Sequence, residues 1–104
     1  MQVVRQGDIL KLERPRADIL VLSKEFFNKC GLIIACPVVK EAHPDALHIE
    51  IKSDDYTGIV LIEQLKSLDI KSRHYRTISG ISFEQIQNIS DAVQGIFDCY
   101  PWSV

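Results

Sequence analysis

The chain has few of the features that mark several large protein classes. Its three cysteines, Cys30, Cys36 and Cys99, are odd in number and form no CxxC pair. That pattern supports neither a disulfide framework nor a zinc site, and no metal or cofactor is expected. No apolar run approaches the roughly 20 residues needed to span a bilayer. The N-terminus has no charged leader followed by a long apolar stretch. No membrane partner is therefore expected, and a reducing cytoplasm fits. Basic residues are not in excess either: 12 Lys and Arg face 14 Asp and Glu, a net charge of -2. Overall charge thus gives no nucleic-acid signature. Linkers, internal repeats and low-complexity segments are also missing.

What remains is an ordinary globular composition, 46% hydrophobic and 25% charged over 104 residues. That size predicts one domain, residues 1–104, with a compact core. A chain this short cannot enclose a deep private cavity, so a site should be a surface groove or a cleft between subunits. Strands are predicted at Asp8–Leu12, Asp18–Leu22, Leu32–Val39, Leu47–Ile51, Gly58–Ile62 and Tyr75–Ile78. Leu32 to Cys36 is continuously apolar and should be a central strand, with Cys36 a small hydrophobe. Pro37 removes a ladder hydrogen bond and should mark a bulge or strand end. Leu47-His48-Ile49-Glu50-Ile51 alternates, so His48 should face solvent. Ser23 is placed to cap a short turn holding Phe26 and Phe27, closed by Gly31. Ser82, with Gln85 as its capping-box partner, opens a helix whose apolar residues Phe83, Ile86, Ile89, Val93, Ile96 and Phe97 recur at helical spacing. The fold class is mainly β with a C-terminal helix (α+β). It is a small barrel over about 6–80, a helix over about 82–97 and a short tail over 98–104.

An ordered set of segments resembles the MazF/PemK toxin family. Gly58-Ile59-Val60-Leu61-Ile62-Glu63-Gln64-Leu65-Lys66-Ser67-Leu68-Asp69 resembles its central motif, a buried strand feeding a polar turn. Gln6-Gly7-Asp8-Ile9-Leu10 resembles the opening strand. Ile19-Leu20-Val21-Leu22-Ser23 with Phe26-Phe27-Asn28 resembles the second strand and the turn after it. Gly31-Leu32-Ile33-Ile34-Ala35-Cys36-Pro37-Val38 resembles the third. The match spans about residues 6–97. It implies an SH3-like barrel, commonly a homodimer. It also implies a metal-independent endoribonuclease toxin of a type II toxin–antitoxin pair. Such a toxin cuts single-stranded RNA and is blocked by a disordered acidic antitoxin segment.

The chain departs from the family where the family's chemistry lies. Ala17 stands at the arginine expected before the second strand, and Asp18 at the following proline. Val39 stands at the threonine expected after the third strand and has no hydroxyl. The first loop is short, about Glu13 to Ala17. One reading moves the catalytic roles to Arg16, which would stabilise the phosphorane, and His43, whose ordinary pKa of about 6.5 suits acid–base work. The other takes His43 as a loop residue beside Pro44, with Arg14 and Arg16 as solvated turn charges. The fold would then survive as a binding module for nucleic acid or an antitoxin. Candidate nucleic-acid contacts are Arg14, Lys40, Gln64, Lys66, Ser67, Arg73 and Arg76, with Tyr75 available for base stacking. Their alternative role is a solvated turn and a charged edge strand. The tail Tyr100-Pro101-Trp102-Ser103-Val104 faintly resembles the end of CcdB toxins, which poison DNA gyrase. Its other reading folds Trp102 onto the barrel or into a dimer interface.

Overall fold

The computed structural model describes residues 3–98. The tail and Cys99 lie outside the described residues. The order is β1 (Asp8–Glu13), β2 (Arg16–Val21), α1 (Glu25–Asn28), β3 (Leu32–Val39), β4 (His48–Ser53), β5 (Tyr56–Leu61), a 3-10 turn (Ile62–Gln64), β6 (Lys66–Asp69), β7 (Tyr75–Gly80) and α2 (Phe83–Phe97). The strands form one antiparallel sheet ordered β4-β5-β3-β2-β1-β7, with β6 added onto β3. The sheet curls, and α2 packs over one face. The predicted class is observed. β6 is an additional strand: its Lys66-Ser67-Leu68-Asp69 looks like a polar turn, but Leu68 is buried against β3.

β3 is the central strand, as its apolar run predicts. It pairs with β2 from Ala35 to Val38. On its other edge it pairs with β6 over Leu32–Ala35 and with β5 only at Val38 and Val39. Pro37 therefore does not end the strand. It sits where one edge passes from β6 to β5, which is where a missing N–H is tolerated. Cys36 is fully buried, and burial pushes its thiol up to about 12, so it packs as a hydrophobe.

Strand alternation divides the core. One cluster holds Leu10, Leu12, Ile19, Val21, Ile33, Ala35, Leu68 and Ile70. The other holds Ile9, Leu20, Cys36, Val38, Ile51, Val60 and Ile62 with Ile86 and Ile89 of α2. Period 2 in β1 and β2 sends neighbours to opposite clusters.

Two local expectations change. Ser23 does not cap α1, whose N-cap is Lys24 with no side-chain bond. Its hydroxyl instead donates to Asn28 Oδ1 and accepts the Ile34 N–H at 2.9 Å. Asn28, the buried polar residue here, also donates to the Val4 carbonyl at 2.7 Å. Gly31 does close the turn, at φ +92. Ser82 caps α2 by accepting the Gln85 N–H at 3.2 Å. The Gln85 side chain lies 3.4 Å from the Ser82 hydroxyl through Nε2 and also bonds the edge strand. It accepts the Lys52 N–H at 2.8 Å and donates to the Lys52 carbonyl at 2.7 Å. This amide completes the ladder of an exposed edge. The two ends of the sheet are also tied. Ser53 of β4 lies 2.8 Å from Ser79 of β7, and Ser79 donates to Asp55 at 2.8 Å.

Gly58 has a packing reason. A Cβ there would stand 2.5 Å from Val38 Cγ1 and 3.2 Å from Tyr56 Cε1. Gly58→Ala is expected to destabilise the fold by about 1–3 kcal/mol through overpacking. A urea midpoint equal to that of the unaltered chain would show that Val38 yields instead.

Candidate nucleic-acid interface

The β1–β2 connection is only Arg14-Pro15, and this two-residue turn fixes the register that follows. Glu13 faces Arg16, Leu12 faces Ala17 and Lys11 faces Asp18. β7 adds Arg76 opposite Lys11. Lys11, Arg16 and Arg76, with Leu12 and Glu13, line a groove of about 340 Å³. Three cations thus converge on one surface of a chain whose overall charge is negative.

Below the groove lies a polar network that the sequence reading missed. Lys11 Nζ sits 3.1 Å from Asp18 Oδ1, both half-buried or deeper. The Tyr56 hydroxyl donates to Asp18 Oδ2 at 2.6 Å. The Lys40 ammonium lies 3.8 Å from the centre of the Tyr56 ring and donates to the Thr57 carbonyl at 2.8 Å. Burial alone would raise the Asp18 pKa. The Tyr56 and Lys11 hydrogen bonds, with the Lys11 and Lys40 charges, outweigh it and hold Asp18 below the usual carboxylate value. Burial first, then Asp18, pushes the Tyr56 phenol up, so it stays a neutral donor. The register carried the signal: a two-residue turn after Glu13 puts Lys11 opposite Asp18.

The remaining predicted residues disperse. The β2–β3 pairing ends at Asp18–Val38, and Ala17 and Val39 are the next residues beyond it on their strands. Arg16 follows the alternation of Asp18 and Leu20 and lies on the opposite face from Ala17. His43 is an exposed loop residue outside the Arg16 groove, with its carbonyl 3.3 Å from His48 Nδ1. His48 is not a free surface group: its Nε2 contacts Glu63 and its Nδ1 lies 3.3 Å from Asp45. The Glu63 hydrogen bond chiefly, then the Asp45 and Glu63 charges, raise its pKa. The Lys66–Arg76 stretch splits. Arg76 enters the groove, whereas Lys71 and Arg73 line a separate cavity with Tyr75. The Arg73 guanidinium donates to the Arg14 carbonyl at 3.1 Å. Gln64 ends the 3-10 turn, and Lys66 and Ser67 face Ala35 and Ile34 across β6 and β3. No group of three or more His, Cys, Asp or Glu able to hold a metal is found among the described residues. No helix among them is long and apolar enough to cross a membrane.

A small curled β-sheet under a C-terminal helix, with a basic rim at its first hairpin, defines a class of small barrel-like proteins. Residues 5–97 match the PemK-like, MazF-like toxins of type II toxin-antitoxin systems, and the chain belongs to that family. It is similar in fold to MazF in a MazE-MazF complex from Deinococcus radiodurans. That match has 24% identity and a TM-score of 0.85, covering 93% of this chain and 98% of that one. An endoribonuclease in complex with its cognate antitoxin, from mycobacterial species, matches at 13% identity and TM-score 0.79, covering 94% and 99%. The Mycobacterium tuberculosis toxin MazF-mt6 matches at 15% and 0.69, covering 92% and 99%. No curated protein matches.

The lowered Asp18 pKa has a defined sign. A carboxylate held below its unfolded value stabilises the fold above about pH 4, and that stability is lost as pH falls through the folded value. Asp18→Asn should therefore cost stability at neutral pH. The gap from the unaltered chain should narrow as pH falls from about 5 towards 2, measured by urea unfolding. A gap that stays constant with pH would mean Asp18 does not titrate this way.

Proposed function

We propose that this chain is the toxin-side member of an antitoxin pair and that it engages single-stranded RNA without cleaving it at the family's usual centre. The observation that carries this reading is that Ala17 and Val39, the next residues on their strands past the Asp18–Val38 pair, carry no polar side-chain group. Cleavage by 2′-hydroxyl attack needs a base, an acid and a cation for the phosphorane. A methyl and an isopropyl group offer none of these. The Lys11, Arg16 and Arg76 groove supplies phosphate contacts instead, which act as backbone positioning rather than base readout. A disordered acidic antitoxin segment would compete for the same cations. Cytoplasmic action and a homodimer complete the proposal.

One observation favours a second reading. Arg16 shares its groove with two further cations, so a metal-independent endoribonuclease with Arg16 stabilising the phosphorane and His43 as acid or base has the needed charge. This would require the loop at His43 to move towards the groove on RNA binding.

Both readings meet in one experiment. The purified chain is mixed with labelled single-stranded RNA, and binding and cleavage are measured across salt concentrations. Binding that weakens with salt, falls about three- to tenfold in Arg16→Ala and Arg76→Ala, and produces no fragments supports the first reading. Val39→Thr alone should not create cleavage, because position 17 still lacks a guanidinium. Fragments from the unaltered chain that vanish with Arg16→Ala would replace the first reading with the second.

A further inference from the structure

We propose that the cavity between the N-terminal segment and the β6–β7 turn is a nucleotide subsite. It would take one base against Tyr75 and the attached phosphate on Lys29, Lys71 and Arg73. The inference rests on the RNA-binding reading above and adds a second place on the strand.

The cavity measures about 420 Å³ and is lined by Val3, Val4, Ile70 and Tyr75 on its apolar side and by Lys29, Lys71 and Arg73 on its polar side. No carboxylate lines it. Three cations share this cavity with Tyr75, and the acids Asp8 and Glu25 stand in the neighbouring cavity that Tyr75 also lines. A ring face beside cations suits a stacked base with its phosphate. A purely apolar occupant would leave those charges unanswered.

The lining is held by the fold. Tyr75 packs against the first core cluster, which fixes its ring. The Ile70 N–H donates to the Gly31 carbonyl at 3.0 Å. The Lys71 N–H donates to Asp69 Oδ1 at 2.9 Å. Gly31 has φ +92, and a Cβ there would stand 2.5 Å from three methylene carbons of Lys71. Glycine thus lets the Lys71 stem lie along the cavity wall. Arg73 bonds the Arg14 carbonyl in the β1–β2 turn, on whose strands Arg16 and the groove stand. A single strand crossing that turn would meet the groove with its backbone and the cavity with one base.

The test uses the isotope-labelled full chain and three probes: adenosine monophosphate, inorganic phosphate and a glutamate-rich peptide. The nucleotide should shift the amide signals of Gly31, Ile70, Lys71 and Tyr75. Tyr75→Leu should weaken it about tenfold, the scale of one lost stacking contact. Because Tyr75 also supports the core, Lys29→Gln with Lys71→Gln provides a surface variant, which should weaken the nucleotide while leaving the unfolding midpoint in place. Inorganic phosphate binding as tightly as the nucleotide would overturn the base contact. The peptide shifting these signals while the nucleotide shifts none would overturn the nucleotide assignment. Arg16→Ala should leave the titration unchanged. RNA held by the groove with a silent cavity would therefore sink this inference alone. A responsive cavity with no RNA at the groove would sink the groove reading alone.

Discussion

β3 has to serve two partners along a single edge. Its first half pairs with β6 and its last residues with β5, while its other edge keeps β2. The two partners follow one another along that edge, with the 3-10 turn Ile62–Gln64 between them in the chain. Cys36 and Pro37 sit at the change. A proline in an ordinary central strand would leave an acceptor without its N–H. Here the change of partner leaves room for one. Strand alternation separates the core into two clusters, and α2 covers only the one that contains Cys36, Val38 and Val60. The closing bonds, Gln85 to Lys52 and Ser79 to Ser53 and Asp55, lie at β4 and β7, the two ends of the strand order.

From this frame the first hairpin inherits its faces. Arg14-Pro15 allows no slack, so each residue of β2 has one partner and one side. Position 17 belongs to the side of Leu12 and Ile19, and position 16 to the side of Lys11 and Asp18. A charge moved by one residue therefore crosses the sheet rather than sliding along it. That geometry separates basic charge from Ala17 and Val39. It also places the charge beside Arg76, which reaches the groove from β7.

Much of the fold was legible because it rests on local pattern. The apolar run at Leu32–Cys36, the helical spacing from Phe83 and the Ser82 cap all state their own structure. β6 was not legible: Lys66-Ser67-Leu68-Asp69 has one apolar residue, and only the pairing with β3 makes it a strand. The site was legible in part. Arg16 and Arg76 drew notice as charges, but nothing in a linear reading joins residues 60 apart. Lys11 and Tyr56 drew none and Asp18 only as a replacement for proline, because their shared network exists only once register brings them together. The further partners of Gln85 and His48 were hidden for the same reason. Their side chains answer groups on other elements, Lys52 and Glu63, that local rules do not contain.

Asp18 decides how strongly the groove can hold a polyanion. It stands within 3.1 Å of Lys11 and keeps its charge at neutral pH. Lys11 is thus partly answered before any ligand arrives, and Glu13 adds a second negative charge to the lining. Arg16 and Arg76 are exposed and screened over about 8–10 Å in physiological salt. Attraction is therefore local and modest, of the order of one or two phosphates rather than a long track. A short contact of that kind needs help from elsewhere to hold a single strand. Base stacking is the help that salt does not screen, and the Tyr75 cavity proposed as a nucleotide subsite is tied to the groove's hairpin through Arg73 and Arg14.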